Sequence, residues 1–437
     1  MKQYLYFMIA ALVTAILFTG CGNSEERQLA QDVRNFINEA GELVGTLGEA
    51  MATVNDVMTT APATVTVPVT TQQNETVSDP ASEENEDEDE YVPEEVRVPF
   101  PGFETITVSA SQSFGLLPNG DLYAWGRNEH GQLGLDYEGN HYFPTFVMGN
   151  VQSVSASPGF TAAITTDGNL YTWGINEYNQ LGDGTRTDRS TPAQIMQNVV
   201  YVSAGWRHAA AITEDGGLYV WGRNWEGQIG DGTTTNRAEP TRIMDNIVAV
   251  AAGSLHTLAL DADGTVWAFG DNDFGELGIG NRNSRHEPVQ VLENATAISA
   301  GYNVSLALVD GTLWMWGRGH EGQMGDGRST SRVTSPVRVM DNVEYATVWT
   351  TVAVIRDDAS LWTWGLNDYG TVGDGSTTNR NSPVRVMDHV VQVTSGRVHV
   401  FAINDEGRIF RWGSNAHGQL GDGTNVDQTS PLYISQF

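Results

Sequence analysis

The sequence predicts an all-β chain whose larger part closes into a seven-bladed β-propeller, and three observations carry that reading. The phrase Leu122-Tyr123-Ala124-Trp125-Gly126-Arg127-Asn128-Glu129-His130-Gly131-Gln132-Leu133-Gly134 returns in close copies, with the aromatic before its first glycine at Trp125, Trp173, Trp221, Phe269, Trp316, Trp364 and Trp412. The steps between these positions are 48, 48, 48, 47, 48 and 48, the regularity of a repeat architecture. Each copy also alternates short runs rich in Val, Ile, Tyr and Trp with Gly, Asn, Asp and Pro clusters, which reads as four short strands per unit. Finally, inner runs such as Ala209-Ala210-Ala211-Ile212 and Leu218-Tyr219-Val220-Trp221 are apolar at consecutive positions, so both faces of these strands must be covered. Seven such units bury their faces most simply by closing into a ring.

Ahead of the repeat, residues 1–21 carry a basic Lys2, an apolar run over 4–18 and then Thr19-Gly20-Cys21. The run has the layout of a secretory signal and is short for a spanning helix. Small residues before a lone cysteine resemble a bacterial lipoprotein signal, with Cys21 as the lipidated residue; Phe18 departs from the usual Leu, Val or Ile, and a cleaved signal or an uncleaved anchor is the alternative. Over 22–58, Leu29, Val33, Phe36, Ala40, Leu43, Leu47, Ala50 and Val54 recur at alternating spacings of four and three, predicting a short amphipathic helix weakened by Gly41, Gly45 and Gly48. Residues 24–58 are also a candidate for weak self-association. Residues 59–98 are Thr- and Pro-rich and then acidic, with ten Asp and Glu over 79–95, and predict a disordered, self-repelling linker.

The propeller is predicted over 99–437, in units of about 101–150, 151–198, 199–246, 247–294, 295–342, 343–389 and 390–437. Asn119-Gly120, Asp167-Gly168, Asp215-Gly216, Asp263-Gly264 and Asp310-Gly311, with Glu406-Gly407 as a variant, predict the hairpin between second and third strands. The sixth unit has Asp358-Ala359, which requires another turn type or some strain. Val96-Arg97-Val98 and Pro431-Leu432-Tyr433-Ile434 both match the outer-strand pattern of Val337-Arg338-Val339. The C-terminal segment is expected to pair with the first blade and clasp the ring.

Three pieces of the repeat carry a resemblance: Ser203-Ala204-Gly205 followed by His208, Trp412 to Gly421 in the pattern Trp-Gly-x-Asn-x-x-Gly-Gln-Leu-Gly, and Gly373-Asp374-Gly375-Ser376-Thr377-Thr378 leading to Pro383-Val384-Arg385-Val386. Together they resemble the repeat of the regulator of chromosome condensation family, and the match covers all seven units. The resemblance implies the same seven-bladed propeller. It also implies candidate activities: the family's nuclear founder exchanges nucleotide on a small GTPase and docks on chromatin, and a secreted bacterial propeller similar to the family inhibits β-lactamases.

Charge separates these. Lys plus Arg is 23 against 54 Asp plus Glu, a formal net charge of -31, which repels phosphate backbones and anionic lipid. A nucleic-acid partner is therefore not expected, and membrane contact is expected only through the anchor or signal segment. The single cysteine excludes disulfide and Cys-rich metal frameworks. His208, His256 and His399 share a register that holds Phe114, Phe160, Val304 and Thr351 in the other units, which reads as structural hydrogen bonding and gives no metal site. Asp183, Asp231, Asp326, Asp374 and Asp422 follow glycine without the Gly-Lys-Ser/Thr of a phosphate loop and are expected to bond local amides. No catalytic set stands out, so no catalytic residue and no cofactor is expected.

What varies between the copies is more informative. Nine of the 12 tryptophans repeat as blade packing, leaving Trp206, Trp225 and Trp349. Trp206 and Trp349 share a loop position with Tyr302 and Arg397, while Gln112, Pro158 and Ser254 fill it elsewhere. Trp206, with the adjoining Arg207, Tyr302, Trp349 and Arg397 are thus the candidate partner-binding residues, and their loops are expected to ring one face near the central axis. Trp225 belongs to the other glycine loop, where the resemblance implies packing. The sequence reading is a noncatalytic, membrane-tethered, extracytoplasmic scaffold that binds an unknown protein or cell-wall component. Inhibition of an extracellular enzyme, nucleotide exchange by family analogy and a glycan-active enzyme are the alternatives.

Overall fold

The computed structural model describes residues 101–329 and 331–434. The signal with Cys21, the helix over 22–58, the linker over 59–98 and the Val96-Arg97-Val98 strand candidate lie outside the described residues. Within them, four-stranded antiparallel sheets span 105–148, 151–196, 199–244, 247–292, 295–340, 343–387 and 390–433, numbered here as blades 1 to 7. The first strand of every blade lines one central channel of about 170 Å3, through Thr107, Ser155, Ser203, Ala252, Ser299, Thr347 and Ser395. The ring is therefore closed, and the chain is a seven-bladed β-propeller.

Blade 3 shows how the sequence builds the unit. Its second strand, His208–Thr213, is buried at every residue, and in its third, Leu218–Gly222, only Tyr219 is partly exposed. These are the runs without alternation, and neighbouring blades cover both of their faces. The fourth strand, Arg237–Met244, is the outer edge and stays partly or fully exposed throughout.

Each repeated tryptophan fastens its blade to the preceding one. Trp221 is fully buried, and its indole N–H donates to the Gln180 carbonyl of blade 2 at 3.0 Å. The same bond joins Trp125 to Gln419, Trp173 to Gln132, Trp316 to Glu276, Trp364 to Gln323 and Trp412 to Thr371, at 2.8 to 3.0 Å. Phe269 has no such donor, and at that junction the Gln228 carbonyl accepts from Thr257 Oγ1 at 2.8 Å. The glycine after the aromatic is required sterically: Gly222 has φ of 100°, and a Cβ there would sit 2.7 Å from the Arg207 carbonyl oxygen.

The 47-residue step falls in a single hairpin. In blade 5, Val304–Val309 and Thr312–Arg318 are joined by Asp310-Gly311 alone, with φ of 48° and 69°. In blade 6 the turn keeps its usual type, and Ala359 absorbs the strain at φ 59°. Its N–H donates to Arg356 O and its carbonyl accepts from Val390 N–H, both at 2.9 Å, matching the bonds of Gly216 in blade 3.

The expected clasp is corrected. Gln428–Tyr433 pairs with Ile409–Gly413 of its own blade, and blade 1 takes its outer strand, His141–Met148, from its own repeat. The reason is the repeat frame: each unit starts at an innermost strand, so each blade is complete in one segment and no strand is shared. Blades 7 and 1 are joined by contacts like those at the other junctions. Phe103, Ile106 and Trp125 pack with Phe401, Ile403 and Leu420, and the His399 ring meets Ser113 Oγ at 2.8 Å.

Candidate functional site

In an antiparallel meander the loops after the first and third strands of every blade emerge on the same face. The loop after the first strand is fixed by its neighbour. Trp206 N–H donates to Gly253 O, Ser254 N–H to Gly301 O and Arg397 N–H to Ser109 O, each at 3.1 Å, and Tyr302 N–H donates to Trp349 O at 2.9 Å. This approach explains the Ser-Ala-Gly signal, since a Cβ on Gly205 would lie 2.7 Å from the Gly253 oxygen. The residue after each of these glycines is thereby presented on a rigid rim.

Blade 1 corrects the register read from the sequence. Gln112 pairs with Gly126 as His208 pairs with Gly222, so Gln112 occupies the histidine register and Ala110 the rim position, while Phe114 lies two residues further along the strand. Blade 1 has Ser109-Ala110-Ser111, without the glycine that blades 3, 4, 5 and 7 offer to align on at Gly205, Gly253, Gly301 and Gly396. Gln112 still serves the rim, donating from Nε2 to Pro158 O at 3.1 Å.

His208, His256 and His399 do not converge. Each bridges to a hydroxyl of the next blade: His208 Nε2 to Thr257 at 2.9 Å, His256 Nε2 to Ser305 at 2.9 Å, and His399 Nε2 to Ser113. Those hydroxyls donate onward to the carbonyls of Gln228, Glu276 and Gln419, so the imidazole Nε2–H must be the donor to each of them. Burial pushes all three histidines down to about 3, which keeps them neutral. Asp183 accepts from Thr185 N–H at 2.9 Å, and Asp231, Asp326, Asp374 and Asp422 each accept from the amide two residues on at 3.0 Å. Among the described residues no group of three His, Cys, Asp or Glu is placed to hold a metal ion.

The rim residues do come together. Trp206, Tyr302, Trp349 and Arg397 line one concavity of about 290 Å3 with Pro158, Arg318, Glu321, Gln323, Thr350 and Leu366. Trp206 and Tyr302 meet edge to face with centroids 6.1 Å apart, across the small Ser254 of the intervening blade, and Tyr302 and Trp349 are 6.2 Å apart. The three rings form an arc at the mouth of the channel, which Trp206 and Trp349 also line. Arg207 is not part of this lining. It turns toward blade 2, over the Tyr178 ring at 4.3 Å and the Trp206 ring at 5.5 Å, and pairs with Glu177 at 3.3 Å.

The sequence reading missed the other half of this face. Arg223 lies 4.5 Å over Trp225 and 5.8 Å over Tyr178, which continues the stack outward from Arg207, and Trp225 at 57 % is the most exposed tryptophan of the described residues. On the other side Arg318 lies 5.3 Å over Tyr302 and 5.5 Å over Phe274, and it pairs with Glu321. Burial raises the Glu321 carboxyl, but hydrogen bonds from Gln323 and Arg318 outweigh it and hold the group below its ordinary value. The signal was Arg directly after the repeated aromatic-Gly pair in units 1, 3 and 5, at Arg127, Arg223 and Arg318, which repetition disguised as scaffold. Cations over aromatic rings contribute about 0.5–1 kcal/mol each when exposed, more when desolvated. The result is an ordered surface of Arg and aromatic groups running from Trp225 to Phe274.

A profile of the RCC1-like domain matches residues 19–353, and profiles of the regulator of chromosome condensation (RCC1) repeat match 358–403 and 406–437. Among solved structures the chain is similar to human WBSCR16, at 22 % identity over 72 % of this chain and 94 % of that one, with a TM-score of 0.65. It is also similar to Prp20p from Saccharomyces cerevisiae, at 23 % identity over 76 % and 88 % of the two chains, with a TM-score of 0.64. That work concerned the binding of Prp20p to Gsp1p and histones. At these identities the likeness shows the fold.

Proposed function

Given a chain that belongs to the regulator of chromosome condensation family of RCC1-like propellers, we propose that it is a noncatalytic scaffold whose rim face binds a protein partner. The propeller fold is consistent with an interaction scaffold. The observation that carries the finer reading is the gathering of Trp206, Tyr302, Trp349 and Arg397 in one concavity on loops pinned by backbone hydrogen bonds. Preordered aromatic and Arg side chains lose little freedom on binding, which is the condition for a hot spot. The mechanism is rigid display: blades fix the loops, and residues the repeat leaves free make the contact. Trp206→Ala with Trp349→Ala is expected to weaken partner capture from an envelope extract at least about tenfold, with the unfolding midpoint unchanged. Equal capture by this variant would sink the reading.

We further propose that the propeller works outside the cytoplasm, tethered to the bacterial membrane through a lipidated Cys21. The support is the basic, apolar and small-residue order of residues 1–21, together with a net charge of -31 that disfavours direct adsorption to anionic lipid. Metabolic labelling with a fatty acid is expected to mark the wild-type chain and not Cys21→Ser, and label retained by that variant would contradict the anchor.

A further inference from the structure

The charges of the rim arginines are answered differently. Arg207 pairs with Glu177 at 3.3 Å, Arg223 with Glu226 at 2.7 Å and Arg318 with Glu321, and each also lies over an aromatic ring. Arg397 is exposed, lines the same concavity as Trp349 and Tyr302, and among the described residues has no carboxylate within ion-pair distance. Its backbone is nonetheless fixed on both sides: the N–H donates to Ser109 O at 3.1 Å, and the carbonyl accepts from Thr350 Oγ1 at 3.1 Å. One guanidinium is thus anchored beside an aromatic arc with no carboxylate partner among the described residues.

We infer that the face takes an extended peptide segment of its partner in which one Asp or Glu lies next to an aromatic or branched apolar residue. This rests on the reading of the rim as the partner-binding face. The carboxylate pairs with the Arg397 guanidinium, whose planar fork matches two carboxylate oxygens. The apolar side chain enters among Trp349, Tyr302 and Trp206. A volume of about 290 Å3 suits one or two side chains under a backbone lying across the rim. A phosphate is the poorer fit, because it brings nearly two charges to a concavity with one cation unpaired among the described residues, beside Glu321 and in a chain of net charge -31. The same balance turns away nucleic acid.

The test is a library of random linear peptides selected on the full-length chain, followed by synthetic peptides and their Glu-to-Gln or Asp-to-Asn counterparts. Enriched sequences should carry one acidic residue beside an aromatic or branched one. Amide exchange in the peptide should weaken binding to the wild type about tenfold or more, as expected for losing a charged hydrogen-bonded pair. It should leave binding to Arg397→Gln unchanged, while Trp349→Ala weakens both peptides. If the enriched peptides lack acidic residues, or Arg397→Gln does not alter their affinity, the carboxylate inference falls; a surviving loss with Trp349→Ala would leave the partner-binding face standing. If peptides bind with no loss from either variant, or none is enriched while an oligogalacturonate binds, both fall.

Discussion

Glu276 stands where Gln132, Gln180, Gln228, Gln323 and Gln419 stand in other repeats, and it shows how one atom changes a junction. Its backbone carbonyl does the common work, accepting from Trp316 Nε1 at 2.8 Å and Ser305 Oγ at 2.7 Å. Its side chain is fully buried, accepts from Phe274 N–H and Asn303 Nδ2 at 2.7 Å each, and lies near Asp271. Burial, with the Asp271 charge adding to it, pushes the carboxyl up to about 7. A folded value above the ordinary 4.5 means that the folded state favours the protonated form. Stability from this group is therefore fully present below pH 4.5 and is lost as pH rises through 7. Glu276→Gln keeps the acceptor for Phe274 N–H and removes the charge. It should leave the free energy of unfolding nearly unchanged at pH 4.5 and raise it at pH 8, by on the order of 3 kcal/mol. An equal shift at both pH values would show that Glu276 is not protonated on folding. Nothing in the sequence marked this residue, because Gln and Glu read alike where burial is unknown.

At the scale of the blade, the tryptophan bond predicts unequal costs for one substitution. The Gln132 carbonyl accepts from Trp173 and also from Thr161 Oγ1 at 2.9 Å, whereas Ala209 leaves the Gln180 carbonyl with the Trp221 indole alone among the described residues. Both rings are fully buried. Trp221→Phe strands a buried acceptor and Trp173→Phe does not, so the former should destabilise by roughly 1 kcal/mol more in urea unfolding; equal losses would show that the indole N–H contributes only volume. The strand count, hairpin positions and middle-strand burial were legible because the period repeats each signal seven times. The clasp was not, since Pro431-Leu432-Tyr433-Ile434 states that it is an outer strand without stating of which blade. The blade 1 register failed for a related reason: Ser109-Ala110-Ser111 lacks the glycine that marks the rim turn in blades 3, 4, 5 and 7.

Across the whole molecule, the rim could be located from the sequence because Trp206, Tyr302, Trp349 and Arg397 break a pattern that is otherwise constant. Their convergence needed the ring, which brings residues of blades 3, 5, 6 and 7 to one concavity. The outer half of the surface stayed hidden because Trp225, Tyr178 and Phe274 occupy a repeated aromatic position, and only the fold reveals the Arg207, Arg223 and Arg318 side chains that join them to the arc. Closure also fixes a control surface. Val391 is the second residue of the innermost strand of blade 7, at the end opposite the rim turn at Arg397, and is 60 % exposed. The most direct measurement places a photoreactive amino acid at Tyr302 on the rim or at Val391 on the far face and irradiates intact cells. A partner bound at the rim gives a discrete crosslinked protein from Tyr302 and none from Val391. Adducts from Val391 alone, or the same adduct from both faces, would contradict binding at the rim.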